Sequence, residues 1–258
     1  MVLIMAIADI QSLMQQLQAK QRTSGMNTTS EIVDCKCDKC KDLEYIPTII
    51  DGQEVMVECS CKAKKNHERA LKYSGIYEKF RSKTFSNFEE NPANKGVKKA
   101  CIEYVKTKAY QDGASIMILG RVGSGKTHLG MAIANNLIHD GVFVKYLDYR
   151  QFITLIKQMI TDKEGYQELI ESVKRADILF MDDLFKGEPT EADKKILFEI
   201  INTRYLMDKP VIITSELLPS DMIKIDEGIV SRLMEMSQKY TLISTDKNKR
   251  LEHWRKKK

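Results

Sequence analysis

The hydrophobic pattern changes character twice along the 258 residues. Near the start, Leu3, Ile4, Ile7, Ile10, Leu13, Met14 and Leu17 recur at spacings of three and four, the period of a one-faced helix, and predict an amphipathic helix within residues 1–22. Residues 23–34 lose that period and gain Ser, Thr and Asn, so they read as a linker. Two short apolar runs, at 45–50 and 54–57, flank Asp51-Gly52, a dipeptide that favours a tight β-hairpin turn. The lysine-rich stretch 62–90 reads as helical, and Asn91-Pro92 marks a turn. From about residue 95 helical patterns alternate with short apolar strands. Helices are expected over 93–110, from 126, and over 150–159 and 191–206; strands are expected at 114–119, 142–146, 177–181 and 211–214. That alternation predicts an α/β architecture, a parallel sheet flanked by helices. The chain thus divides into a helix (1–22), a linker (23–34), a small module (35–70), a connecting segment (71–94) and an α/β domain with a basic C-terminal tail (95–258).

Composition changes this picture in three places. With 43% hydrophobic and 30% charged residues the chain can bury an ordinary core. The net charge of +5 is concentrated: the last twelve residues hold seven Lys or Arg and one Glu, so the body is near neutral. A protein that coats nucleic acid over its whole surface is therefore excluded. The tail itself, with Lys247, Lys249 and Arg250 near a lone Trp254, either grips single-stranded DNA by charge and stacking or is a solvated end. Residues 161–168 are a further candidate DNA-facing loop. The apolar run at the very start is too short to cross a bilayer and lacks a basic n-region, and no later stretch reaches about 18 apolar residues, so no membrane association is expected. Five of the six cysteines crowd into 35–61, which favours a metal site over disulfides and a cytoplasmic location.

The cysteines have ligand spacing. Cys37-x-x-Cys40 and Cys59-x-Cys61 form two pairs that the expected hairpin would bring together, with Cys35 as an alternative ligand. Four thiolates in tetrahedral array suit Zn²⁺; reduced structural thiols and an iron–sulfur cluster are the other readings. A module this short has few large apolar side chains, so the metal would supply its folding free energy. Cys101 lies on an expected helix and reads as buried and inert.

The sharpest motif is Gly120-Arg121-Val122-Gly123-Ser124-Gly125-Lys126-Thr127, a complete G-x-x-x-x-G-K-[ST] between an apolar strand and a helix. Glycines there let backbone N–H groups turn inward around phosphates, and the helix N-terminus adds its own donors. Lys126 is expected on the β- and γ-phosphates and the Thr127 hydroxyl on Mg²⁺. The apolar strand 178–181 ends in Asp182-Asp183, where Asp182 is placed for Mg²⁺ and Asp183 for polarising the attacking water.

These motifs carry a resemblance. Gly-Lys-Thr-His-Leu after the loop, Asp182-Asp183-Leu184, Ile-Ile-Asn-Thr-Arg-Tyr at 200–205 and Pro-Val-Ile-Ile-Thr-Ser-Glu at 210–216 are similar to DnaC/DnaI-type replicative helicase loaders, AAA+ ATPases to which the transposition ATPase IstB is closely related. The resemblance covers residues from about 80 to 250. It implies ATP and Mg²⁺ as cofactors and adds His128 to the nucleotide-binding positions. It also implies a sensor role for Ser215, whose other reading is a strand-end cap, and an arginine finger at Arg232 that acts on a neighbouring subunit. Arg204 is either a further interface arginine or part of a solvated helix face. The partners implied are a hexameric replicative helicase held by the N-terminal region, single-stranded DNA at the AAA+ domain, and further copies of the chain across ATP. Asp183 stands where many AAA+ proteins have Glu, one methylene longer, so slow, partner-stimulated hydrolysis is expected.

Overall fold

The computed structural model describes residues 37–62 except 42, 51–52 and 60, then Ser74, Ile76 and 78–248 except 160 and 247. The expected helix at 1–22, Cys35, the Asp51-Gly52 turn, Arg250 and Trp254 lie outside the described residues. Two compact units are present, 1–65 and 66–258.

In the first unit β1 (Tyr45–Ile50) and β2 (Gln53–Glu58) pair antiparallel, from Tyr45 opposite Glu58 to Ile50 opposite Gln53. Lys62 Nζ closes the open end of this ladder by donating to Tyr45 Oη and Glu58 Oε1, both at 2.5 Å.

The second unit holds a five-stranded parallel sheet: β3 (Ile116–Gly120), β4 (Val144–Asp148), β5 (Ile178–Asp182), β6 (Val211–Ser215) and β7 (Thr241–Ser244). Their order across the sheet is β4-β5-β6-β3-β7. Both faces are covered, which is why β3, β5 and β6 read as unbroken apolar runs rather than alternating ones. Met117, Leu119, Leu179 and Met181 point to one face, where they meet α4 (Tyr149–Gln158), α5 (Lys163–Arg175), α6 (Glu191–Leu206), α7 (Pro219–Ile225) and α8 (Glu227–Met236). Ile116, Ile118, Ile178 and Phe180 point to the other, against α2 (Lys95–Lys106) and α3 (Lys126–His139). Cys101, on α2, is fully buried, and burial pushes its thiol up to about 12. Side-chain caps fix the helix starts: Asp148 opens α4, Asp162 opens α5, and a reciprocal Thr190–Asp193 box opens α6.

Three expectations change. Between 62 and 90, Lys62 and α1 (Glu78–Arg81) are the helical residues among those described; from Thr84 to Asn94 the chain runs in turns. Ile76 and Phe88 are buried in the second unit's core, and the Asn135 amide donates to the carbonyls of Phe80, Arg81 and Lys83. Residues 161–168 are not a loop, because α5 begins at Lys163. Its apolar positions Tyr166, Leu169, Ile170 and Val173 have helical spacing, diluted by a polar majority. Arg204 is neither solvated nor at an interface. It is fully buried, donating from Nη1 to the carbonyls of Val173 (3.0 Å) and Ala176 (3.0 Å) and from Nη2 to those of Asp177 (3.0 Å) and Pro210 (2.8 Å). A cation at the end of α5 satisfies carbonyls that the helix leaves open, and it ties that end to the starts of β5 and β6.

Arg204→Met should therefore strand several buried carbonyls at once. At 1–3 kcal/mol for an unsatisfied buried group, a loss of about 3 kcal/mol is expected. Thermal unfolding of the variant should show the midpoint falling by roughly 6–12 °C. A shift below about 2 °C would contradict the capping role.

Candidate functional site

All five parallel strands end at one edge, and register places the chemistry there. Asp148 sits beside Asp182, Leu119 beside Ser215, and Gly120 beside Ser244. This is the edge at which open α/β sheets bind ligands.

The phosphate loop runs from Gly120 to Lys126, the first residue of α3. Gly120 has φ 140°, and a Cβ there would run into the Ser244 carbonyl. Gly125, at φ 88°, would bring a Cβ to 2.7 Å from the Phe88 ring. Val122 stands exposed at the tip, so it contributes backbone to the loop rather than side chain. Lys126 is nearly buried and donates to Arg121 O at 2.9 Å; burial pulls its ammonium below the ordinary lysine range, against the attraction of Glu216, Asp183 and Asp182. His128 turns away from the loop: its Nε2 is 3.0 Å from both Thr84 O and Asn87 Oδ1, and its ring meets Phe88 edge-on at 5.2 Å.

Asp182 is buried at the end of β5 and accepts three hydroxyls. Thr127 Oγ1 donates at 3.0 Å, Tyr146 Oη at 3.3 Å, and Thr214 Oγ1 through a very short bond. Burial raises its carboxyl above the usual range, Asp183 adds to the rise, and the three hydroxyls oppose it. Asp183 takes left-handed backbone at φ 56°. Its N–H donates to Thr214 Oγ1 at 2.9 Å, and its Oδ2 accepts from Lys186 Nζ at 2.6 Å. Lys186 also reaches Glu216 Oε1 at 3.2 Å. Ser215 is fully buried; it donates its proton to Leu184 O at 2.7 Å and accepts from the Leu217 N–H at 3.2 Å, bonds that cap the strand end. Arg232 lies on α8, where Nε donates to Asn202 Oδ1 at 2.9 Å and Nη1 to Gly228 O at 2.7 Å, with the guanidinium 4.8 Å from the Phe198 ring centre. The structure thus brings together Lys126, Thr127, Asp182 and Asp183 and sets Arg232 on the α6–α8 surface. Thr214, Tyr146, Lys186 and Glu216 join the site without having been expected. Thr214 alone left a trace, as a polar residue inside an apolar strand.

The residues fit a nucleoside triphosphate with Mg²⁺. The loop is a cradle into which side chains at Gly120 and Gly125 would intrude, the Ser124 hydroxyl is buried in it without a partner among the described residues, and a carboxylate shared with Thr127 lies at its floor.

The cysteine cluster forms in the first unit. The sulfurs of Cys37, Cys40, Cys59 and Cys61 all lie within 4.8 Å of one another, with Cys40 and Cys61 at 3.3 Å and Cys37 and Cys59 at 3.7 Å. A tetrahedral centre with Zn–S bonds of about 2.3 Å needs sulfurs about 3.8 Å apart, within the range these four thiols span, so the cluster could hold such an ion. Two backbone turns build it: Lys41 N–H donates to Cys37 O at 2.9 Å, and Lys62 N–H donates to Cys59 O at 2.9 Å. The Cys40 amide holds the Cys37 thiol down to about 6, favouring the thiolate that a metal requires, while hydrogen bonding to Cys40 pushes Cys61 up.

A parallel sheet of this order with a phosphate loop, a buried strand-end carboxylate and a second acidic residue defines a P-loop ATPase domain of the AAA+ class. Comparison with known proteins places it more closely. The model of the bacterial DnaA ATPase domain matches residues 80–237, and the chain belongs to that family. It is 32% identical over 219 residues to the phage-like element PBSX protein XkdC of Bacillus subtilis (strain 168), covering 80% of this chain and 81% of that protein. Among solved structures, the DnaC helicase loader superposes with a TM-score of 0.60 at 19% identity, over 66% of this chain and all of that one. The replication initiator DnaA bound to AMPPCP and single-stranded DNA superposes with a TM-score of 0.56 at 26% identity, over 68% of this chain and 52% of that one. Among the described residues no helix is long and apolar enough to cross a membrane.

The four-thiol cluster leads to a direct expectation. Purified protein should carry about one zinc per chain, and Co²⁺ exchanged into it should show the absorption of tetrahedral thiolate ligation. Cys59→Ser should lose both while the second unit keeps its thermal transition. Zinc-free wild-type protein, or an unchanged metal content in Cys59→Ser, would contradict the assignment.

Proposed function

We propose that the chain is an ATP-dependent loader that binds a hexameric replicative DNA helicase and delivers it onto single-stranded DNA. The observation that carries this reading is the joining, in one chain, of a DnaA-family ATPase unit with a separate four-thiol unit. The ATPase unit shares its fold with the DnaC helicase loader, and the DnaA neighbour was captured with a nucleotide analogue and single-stranded DNA. On the first unit Leu43, Ile49, Met56 and Val57 expose large apolar side chains, and Ile49 is 76% exposed. Ile49 and Met56 lie on one face of the hairpin and Val57 on the other, and exposed apolar side chains on so small a unit suit a protein partner.

In this reading the loop amides and Lys126 hold the phosphates, while Thr127 and Asp182 hold Mg²⁺. The metal supplies neutralisation of charge between the phosphate oxygens. Asp183 orients and deprotonates the attacking water, and Ser215 anchors the loop that carries Asp183. Arg232 acts across the contact with a second copy, leaving Asn202 and the Phe198 ring, so hydrolysis depends on assembly. The zinc module and the segment before it hold the helicase. Loader subunits joined through ATP hold the helicase for strand entry, and hydrolysis releases it.

Two measurements test this. Full-length protein with ATP and Mg²⁺ should co-elute with the cognate hexameric helicase, and a chain beginning at residue 66 should not. Absence of co-elution by the full-length protein would overturn the loader reading and favour an IstB-like partnership with a transposase. Separately, Asp183→Asn and Arg232→Ala should each keep ATP binding and lose at least about tenfold in phosphate release. An arginine finger elsewhere contributes about 10³–10⁵ in rate, so unchanged turnover in Arg232→Ala would remove it from the mechanism.

A further inference from the structure

The loop after β5 is built so as to return a lysine to the site. Asp183 and Phe185 both take left-handed backbone, at φ 56° and 60°, a conformation that non-glycine residues keep only when their surroundings enforce it. The enforcement is visible. Thr214 accepts the Asp183 N–H on its hydroxyl and the Leu184 N–H on its carbonyl at 2.8 Å, Ser215 donates to Leu184 O, and Leu184 and Phe185 are buried, with Phe185 edge-on to Tyr149. The reversal that results brings Lys186 N–H to 3.0 Å from Asp183 O, and its Nζ to 2.6 Å from Asp183 Oδ2 and 3.2 Å from Glu216 Oε1.

This lysine ties up the carboxylate that the hydrolytic reading needs free. Lys186 also lies close enough to Lys126 for the two ammoniums to oppose each other. Among the described residues around the phosphate loop, Lys126 and Lys186 share the surroundings of three carboxylates, Asp182, Asp183 and Glu216, while Arg121 is exposed on the loop itself. Lys126 is anchored inside the loop, nearly buried, whereas the Lys186 side chain is 41% exposed on a flexible stem and can change partner. Nucleotides that differ by their terminal phosphate differ in charge where these groups converge.

We propose that Lys186 discriminates nucleoside triphosphate from diphosphate. Without a terminal phosphate it neutralises Asp183 and Glu216. When one is present it transfers to the phosphate oxygens and leaves the Asp183 carboxylate free to take a water. This inference rests on the ATP-binding reading above and adds to it the residue that reports which nucleotide is bound.

The test is binding rather than turnover. Dissociation constants for AMPPCP and ADP, each with Mg²⁺, are measured by displacement of a fluorescent nucleotide from wild type, Lys186→Met, Lys186→Gln and Lys186→Arg. Both neutral variants should weaken AMPPCP about tenfold, as expected for one charge-assisted contact, with ADP unchanged within about twofold, and Lys186→Arg should restore most of the loss. Equal affinities for AMPPCP in wild type and both neutral variants would overturn the inference, as would equal weakening of AMPPCP and ADP. Wild-type protein that binds neither nucleotide would overturn the ATP-binding reading itself.

Discussion

The second unit depends on satisfying one carboxylate inside a protein core. An ionised group taken out of water costs several kcal/mol unless its oxygens are satisfied. At Asp182 satisfaction comes from three hydroxyls on three different elements: Thr127 from the first turn of α3, Tyr146 from β4 and Thr214 from β6. The bonds that satisfy Asp182 therefore also lock the phosphate-loop helix to the sheet and set two strands against β5. Thr214 then passes the constraint on, because the same hydroxyl that donates to Asp182 accepts the N–H of Asp183 and so helps shape the loop that carries Lys186.

Strand order makes this arrangement possible. The phosphate-loop strand β3 and the acidic strand β5 are not neighbours; β6 lies between them. A residue at the end of β6 can therefore face the gap between the phosphates and the acidic pair, and Thr214 and Glu216 use that position. The carbonyl cage around Arg204 supports the opposite edge of the sheet, holding the ends of α5 and α6 to the starts of β5 and β6. Between a carbonyl-caged back edge and a hydroxyl-linked front edge, Lys186 is an exposed cation paired to the acidic residues of the site.

What could be read from the sequence was local. The phosphate loop is eight consecutive residues, so spacing alone identified it, and Asp182-Asp183 stood out as two charges ending an apolar run. The cysteine pairs were legible because each is itself a tight turn, and the structure gathers the four expected thiols. The groups that were missed depend on which strands become neighbours, and no spacing in the chain encodes that. Tyr146 looks like an ordinary strand residue, and Thr214 is only a polar residue within an apolar run, until β4 and β6 flank β5. Lys186 looks like a solvated loop charge until Asp183 and Phe185 reverse the backbone. Arg204 shows the same limit from the other side: its helical position said nothing of a cage made by carbonyls from the end of α5 and the residues just before β5 and β6. The start of α5 was missed for a different reason, since its four apolar positions are scattered among polar ones.

At the centre of the site, Asp182 and Thr127 would form a divalent-cation site serving a nucleotide. Calorimetric titration of AMPPCP into wild type and Asp182→Asn, each with Mg²⁺ and with EDTA, tests it directly. Mg²⁺ should tighten wild-type binding by at least about tenfold, a difference of about 1.4 kcal/mol. In Asp182→Asn this gain should vanish while the metal-free affinity stays the same. Wild-type affinity indifferent to Mg²⁺, or an undiminished Mg²⁺ effect in Asp182→Asn, would contradict it.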